Sequence, residues 1–269
     1  MRIAVVAPSC RLTEAAAERV KALAAGRAEL VIHPQCFLSD GHFAGADAAR
    51  ADALVEVAED PAFDAVWFAR GGYGSNRIME AVLPRLGQAA RRKSWMGYSD
   101  GGFLLAALYA NGFTDVAHGP MPADVMREGG ETAVTRALDW LVERDLSALE
   151  VGVTPGVKTA AFNLTVLAHL MGTPWQPDLS GHVLLVEEVS EYMYRIDRSL
   201  FHVTSNLGMR KLAGLRLGRC SAIPENDPDF VLDEEQVARG WCERSGIRWL
   251  GRADVGHDAG NKVVPFGGV

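Results

Sequence analysis

Long apolar runs are missing from this chain. No stretch comes near the ~18 consecutive apolar residues of a membrane-spanning helix, so a bilayer is not expected as a partner. Basic residues are outnumbered, 27 Lys and Arg against 34 Asp and Glu for a net charge of -7, and this leaves no positive field to draw nucleic acid. Cysteine is sparse: Cys10, Cys36, Cys220 and Cys242 are scattered with no C-x-x-C pair, which argues against a disulfide framework and a zinc site and for free thiols. No His, Cys, Asp and Glu cluster has metal-ligand spacing, so neither a metal nor an organic cofactor is expected. The opening Met1–Pro8 carries an apolar run of about five residues that ends in a turn. It reads as a buried first strand, not a secretory signal, and the expected location is the cytoplasm. A small molecule is left as the default ligand.

What is present is a globular composition, 48% hydrophobic over 269 residues, with apolar segments that alternate between strand and helix patterns. Ile3–Val6 reads as a strand, Thr13 as the cap of an Ala-rich helix to about Ala25, and Glu29–His33 as a second strand. Helix is expected over residues 46–59, strand over 65–68, helix over 76–86, strand over 94–96, helix over 103–109, strand over 116–118 and helix over 131–145. Such alternation predicts an α/β fold with a doubly wound parallel sheet whose ligands lie outside the carboxyl ends of the strands. The rhythm breaks near Ser147–Lys158, which sets a boundary between domains 1–148 and 149–269. The second, smaller α/β domain is expected to hold helices near 163–171, 195–207 and 233–245. Short strands are expected near 182–187, 212–217, 221–223 and 249.

Four segments could carry chemistry. Gly97-Tyr98-Ser99-Asp100-Gly101 joins a strand to a helix, a turn that would push the Ser99 hydroxyl outward beside the amides of a helix start. Taken alone the pattern is weak, and such a turn is more often a plain connection. Arg70-Gly71-Gly72-Tyr73-Gly74 ends a strand with backbone free to approach a ligand, and it fits neither dinucleotide nor P-loop fingerprints. Glu187-Glu188 stands at the tip of the apolar run His182–Val186, and Gly256-His257-Asp258 places a histidine in a glycine-flanked loop after the last strand. Ser99, an acid at 187 or 188 and His257 follow the Ser, acid, His order of α/β-hydrolases, which order alone does not assign to a fold.

Taken together these segments resemble the LD-carboxypeptidases, serine peptidase family S66, which includes muramoyltetrapeptide carboxypeptidases and the related microcin-immunity peptidases. The matching motifs are Ala7-Pro8-Ser9, Arg70–Gly74, Gly97–Asp100 and His118-Gly119-Pro120-Met121. Asn163-Leu164, Gly172-Thr173-Pro174, Leu184–Glu188, Tyr194–Arg198 and Gly256-His257 with Asn261 and Pro265 continue the series in the family's order. One departure is Ala161-Phe162 where the family commonly has Gly-Gly. The resemblance implies a flavodoxin-like N-terminal domain, a C-terminal swivelling-barrel-like α/β domain, a triad at their interface and a homodimer. By position it makes Ser99 the nucleophile, Glu187 the acid and His257 the base, with the amides of Asp100 and of Gly71 or Gly72 as the oxyanion hole. Period-two alternation cannot choose between Glu187 and Glu188; that choice rests on the resemblance.

The implied reaction is release of D-alanine from the L,D bond of a muropeptide tetrapeptide in peptidoglycan recycling, with a small peptide as the partner. A microcin-immunity-type peptidase acting on peptidyl or aminoacyl nucleotides is the alternative, for which Trp175 is the aromatic to watch. A non-catalytic binding module using the same cleft is a reading of another class. A terminal carboxylate calls for a cation, and Arg70, Arg77, Arg195 and Arg198 are available. Arg70, Tyr73 and Arg195 are the candidate substrate contacts.

Overall fold

The computed structural model describes residues 1–269 and arranges them around two sheets. The first half of the chain supplies β1 (Arg2–Val6), α1 (Glu14–Ala24), β2 (Glu29–Ile32), α2 (Asp47–Glu59) and β3 (Ala65–Phe68). Two single turns, α3 (Met79–Val82) and α4 (Gln88–Arg91), lead to β4 (Ser94–Gly97), α5 (Gly102–Ala110), β5 (Val116–His118) and α6 (Gly130–Leu138). The strands β1 to β5 are parallel in the order β2-β1-β3-β4-β5, the flavodoxin-like order. All four residues of β3 and of β4 are buried, because helices cover both faces of a parallel sheet. The strand order reverses between β1 and β3, so the loops that follow these two strands splay apart and leave a crevice at their carboxyl ends.

The second half supplies β6 (Thr159–Asn163), α7 (Leu164–Leu170), β7 (Val183–Val189), α8 (Met193–Ser205), β8 (Gly214–Ser221), α9 (Glu234–Ser245) and β9 (Trp249–Arg252). These four strands form a separate parallel sheet, β6-β7-β8-β9. A final strand, β10 (Val264–Pro265), returns to the first sheet and lies antiparallel on β5. Just beyond it Gly267 exchanges two backbone hydrogen bonds of 2.9 Å with Thr159 of β6. The tail therefore stitches the two sheets together, and one apolar cluster runs from Phe68, Trp95 and Leu104 to Phe162, Leu184 and Val186 across the seam.

Local differences from the expected elements have physical causes. The helix expected over 76–86 is broken into short 3-10 and α turns, and Pro84 within it has no N–H to continue a ladder. The helix expected over 131–145 widens into a π turn at Asp139–Glu143 and ends where Arg144 takes φ 55°. The two strands expected at 212–217 and 221–223 are the single β8, whose register with β7 shifts between Val186 and Glu188. The alternation along β7 sends Leu184 and Val186 into the cluster under α7 and α8, and Val183 and Leu185 into the one that holds Val255.

Candidate active site

The elbow is built by the end of β4. Tyr98 is extended, Ser99 takes φ 55°, and the turn Ser99–Gly101 feeds directly into α5. A left-handed φ on a non-glycine residue costs on the order of 1–2 kcal/mol, and here it swings the Ser99 side chain away from the strand into the crevice. Gly71, in the loop after β3, faces it: a Cβ on Gly71 would lie 2.9 Å from Ser99 Oγ. Gly72 has φ +113°, and a Cβ there would lie 2.3 Å from Cys10 Sγ. Only glycine lets this loop pass between Ser99 and the loop after β1.

Ser99 Oγ lies 3.0 Å from His257 Nε2, and His257 Nδ1 lies 2.7 Å from Glu187 Oε2. A carboxylate can only accept, so Nδ1 carries the proton and Nε2 is left free to accept from the Ser99 hydroxyl. The Glu187 side chain is fully buried and that of His257 is 8% exposed. Ser99 comes from the first sheet and Glu187 from the second. His257 sits on the loop after β9, so the relay exists only where the two halves meet. Glu188 turns the other way: it accepts from Asn163 Nδ2, from Thr165 N and Oγ1 and from Val189 N, and burial raises its pKa.

A polar frame holds these parts. Asp100 accepts from Ser9 Oγ and, at 2.9 Å, from Ser75 N, so one carboxylate ties the loops after β1 and β3 to the elbow. The fully buried Arg50 donates to the carbonyls of Pro8 and Gly74, bracing the same two loops from behind. The His257 loop is gripped by Arg127, whose Nη1 donates to His257 O at 2.8 Å and to Tyr98 Oη at 2.9 Å. Arg219 pairs with Asp258, and Asn261 Oδ1 accepts from Gly256 N at 3.2 Å. His118 Nε2 is 3.2 Å from the same Asn261 oxygen; burial pushes His118 down to about 4, so this imidazole is neutral at pH 7 and braces the loop. No three His, Cys, Asp or Glu side chains are grouped to hold a metal ion, and no helix is long and apolar enough to cross a membrane.

Residues 3–119 match the sequence profile of the LD-carboxypeptidase N-terminal domain and residues 158–269 that of its C-terminal domain. The chain belongs to the LD-carboxypeptidase family, peptidase S66. A putative carboxypeptidase of Synechocystis is 31% identical, the match covering 84% of this chain and 75% of that protein. The murein tetrapeptide carboxypeptidase of Pseudomonas aeruginosa is 27% identical over 84% of this chain and 78% of its own. The crystal structure of muramoyltetrapeptide carboxypeptidase from Oxalobacter formigenes superposes with a TM-score of 0.83 at 25% identity, covering 99% of this chain and 93% of that one. MccF in complex with glutamyl sulfamoyl guanosine shares the fold, with a TM-score of 0.81 at 18% identity, covering 99% of this chain and 91% of that one.

Two cavities open on either side of Ser99 in this S66 chain, with Ser99, Gly72 and Val189 bordering both. One, of about 460 Å³, holds His257, Arg11, Arg70, Arg127 and Asp124. The other, of about 610 Å³, holds Tyr73, Asn163, Glu188 and Glu191. Thus Ser99, Glu187 and His257 converge, Asp100, Gly71 and Gly72 lie beside Ser99, and Arg70 and Tyr73 face opposite cavities. Arg195 borders neither cavity: it is exposed on α8 and lines a groove farther out, with Glu191 at 3.4 Å. Arg77 is paired with Asp47, Arg198 lies over the Tyr194 ring, and Trp175 packs on the core away from both cavities. Sequence reading passed over Arg11, Arg127 and Asp124. All three follow the carboxyl ends of parallel strands, which is the one signal that could have selected them.

Proposed function

We propose that the protein is a serine carboxypeptidase that releases the terminal D-amino acid from the L,D bond of a muropeptide tetrapeptide, a reaction of peptidoglycan recycling in the cytoplasm. The observation that carries this reading is the Ser99–His257–Glu187 relay, with donor–acceptor separations of 3.0 and 2.7 Å. Ser99 Oγ attacks the scissile carbonyl as its proton passes to His257 Nε2, and Glu187 stabilises the imidazolium through Nδ1. The backbone N–H of Asp100 and that of Gly71 or Gly72 receive the oxyanion. Collapse of the tetrahedral intermediate breaks the C–N bond as His257 returns the proton to the leaving amine. Water, deprotonated by His257, then releases the acyl group from Ser99.

The names of the Pseudomonas and Oxalobacter relatives support the muropeptide substrate. A nucleotide leaving group would call for an aromatic face beside His257. In that cavity Tyr98 is the one Phe, Tyr or Trp, and it is 1% exposed with its hydroxyl engaged by Asp124 and Arg127. The test is incubation of purified protein with a tetrapeptide ending in a diamino acid and D-alanine. Expected are release of D-alanine, and a loss of roughly 10⁴–10⁶ in kcat for Ser99→Ala and for His257→Ala with the fold retained. No D-alanine release together with hydrolysis of an aminoacyl sulfamoyl adenosine overturns the choice of substrate. A loss under about tenfold for either variant removes that residue from the mechanism.

A further inference from the structure

The two cavities that meet at Ser99 differ in charge. In the smaller one, Arg11, Arg70 and Arg127 face a single carboxylate, Asp124, which is already engaged by Tyr98 Oη at 2.9 Å, by Met121 N at 2.8 Å and by Arg127 at 3.3 Å. In the larger one the charged groups are Asp100, Glu188 and Glu191, with no lysine or arginine. Arg11 and Arg70 are exposed and neither donates to any carboxylate or carbonyl of the protein. In a chain with seven more acidic than basic residues, surface arginines such as Arg2, Arg19 and Arg85 pair with carboxylates, whereas Arg11 and Arg70 converge on one cavity beside His257.

The direction of the reaction says which part of a substrate meets these cations. In an acyl transfer through this relay the leaving nitrogen takes its proton from His257 Nε2, so the leaving residue lies on the His257 side of Ser99. His257 borders the arginine cavity and not the acidic one. We infer that Arg11 and Arg70 bind the free C-terminal carboxylate of the leaving residue and so make this site an exopeptidase. The inference rests on the peptidase reading above and adds to it the determinant of end-specificity. Arg127 contributes positive field from a fixed position, since its guanidinium is held by Tyr98 and the His257 carbonyl. Arg70 is adjacent to Gly71, so a carboxylate clamped there sets the scissile carbonyl against the nucleophile. Arg11 reaches the same cavity from the loop after β1.

The experiment compares the D-alanine-terminated tetrapeptide with its C-terminal amide, which lacks the charge at the same size. Wild-type protein is expected to favour the acid in kcat/KM by at least about a hundredfold. Arg11→Met and Arg70→Met keep the apolar stem and remove the cation. Each is expected to lower the acid-to-amide ratio roughly tenfold to a hundredfold, the scale of a charge-assisted hydrogen bond, and the double variant to bring it near unity. A general loss of fold would lower both rates and leave the ratio unmoved. Binding of the two peptides to Ser99→Ala protein, with and without the arginine substitutions, reads the same preference without turnover. Equal binding of acid and amide by Ser99→Ala protein, or a ratio untouched by both substitutions, overturns the inference even where wild-type protein releases D-alanine. Arginine-dependent preference for the acid without any D-alanine release overturns the peptidase reading and leaves the carboxylate site standing.

Discussion

Glu187 and Glu188 are neighbouring carboxylates with opposite surroundings, and the pleat of β7 is what separates them. Glu187 points to His257, whereas Glu188 accepts four hydrogen bonds from Asn163, Thr165 and Val189 and holds the start of α7 against the strand. Glu187→Gln removes the negative charge and offers an amide N–H toward Nδ1 that favours the wrong tautomer, and kcat is expected to fall by about 10⁴, as for loss of the acid in other triads. Glu188→Gln is expected to cost about 1–3 kcal/mol of stability through mismatched hydrogen bonds and less than about tenfold in kcat. Steady-state kinetics and urea unfolding of the two variants check this, and an exchange of the two phenotypes overturns the assignment. Legibility at this scale was uneven for a physical reason. Ser99 and His257 stand in glycine-flanked turns, which mark themselves in a sequence. The choice between two adjacent acids depends on which face of β7 meets which domain, and Arg11 and Arg127 depend on which loops end up side by side; no local pattern carries either.

At the scale of elements, the two glycines of the elbow turn out to serve packing. A Cβ on Gly97 would lie 2.6 Å, and one on Gly101 2.9 Å, from Cδ2 of Phe68, which is wedged between the end of β3 and the elbow with no exposure. The G-x-S-x-G spacing thus lets the turn close over an aromatic ring of the neighbouring strand. Gly97→Ala and Gly101→Ala are each expected to lower stability by about 1–3 kcal/mol, the scale of core overpacking. Trimming the ring with Phe68→Leu is expected to recover part of that loss in the double variants. Chemical denaturation of the four-member cycles measures it, and strict additivity with Phe68→Leu would show that the ring is not what the added methyl meets. The periodic elements were readable: β3 and β5 fall on their expected residues, and Thr13 caps α1 by accepting from Ala16 N at 3.2 Å. The strand β6 was not. Thr-Ala-Ala-Phe-Asn offers neither alternation nor a β-branched run. Its strand form comes from burial of all five residues between β7 and the returning tail.

For the molecule as a whole, the relay requires that the two sheets hold a fixed relative position, and a shared core enforces it. Phe266, 2% exposed, follows β10 and packs on Tyr109 of α5 at 5.6 Å between ring centroids and on Phe162 of β6 at 5.0 Å, one ring touching both halves. Its amide donates to Val116 O at 2.8 Å, and Gly267 then pairs with Thr159 on the other side. Because the apolar cluster is continuous across this seam, the two halves are expected to unfold together. Phe266→Ala is expected to lower the stability of that single transition by roughly 3–5 kcal/mol, the usual cost of emptying a buried phenylalanine site. Trp95 on β4 and Trp249 on β9 provide a reporter in each sheet. Fluorescence of variants keeping only one of these tryptophans should give coincident urea transitions, displaced equally by Phe266→Ala. Separate midpoints for the two reporters in otherwise wild-type protein, or a shift confined to one of them, would show that the seam does not couple the sheets. The alignment of Ser99 with His257 would then have to come from the polar contacts of Arg127 and Asn261 alone.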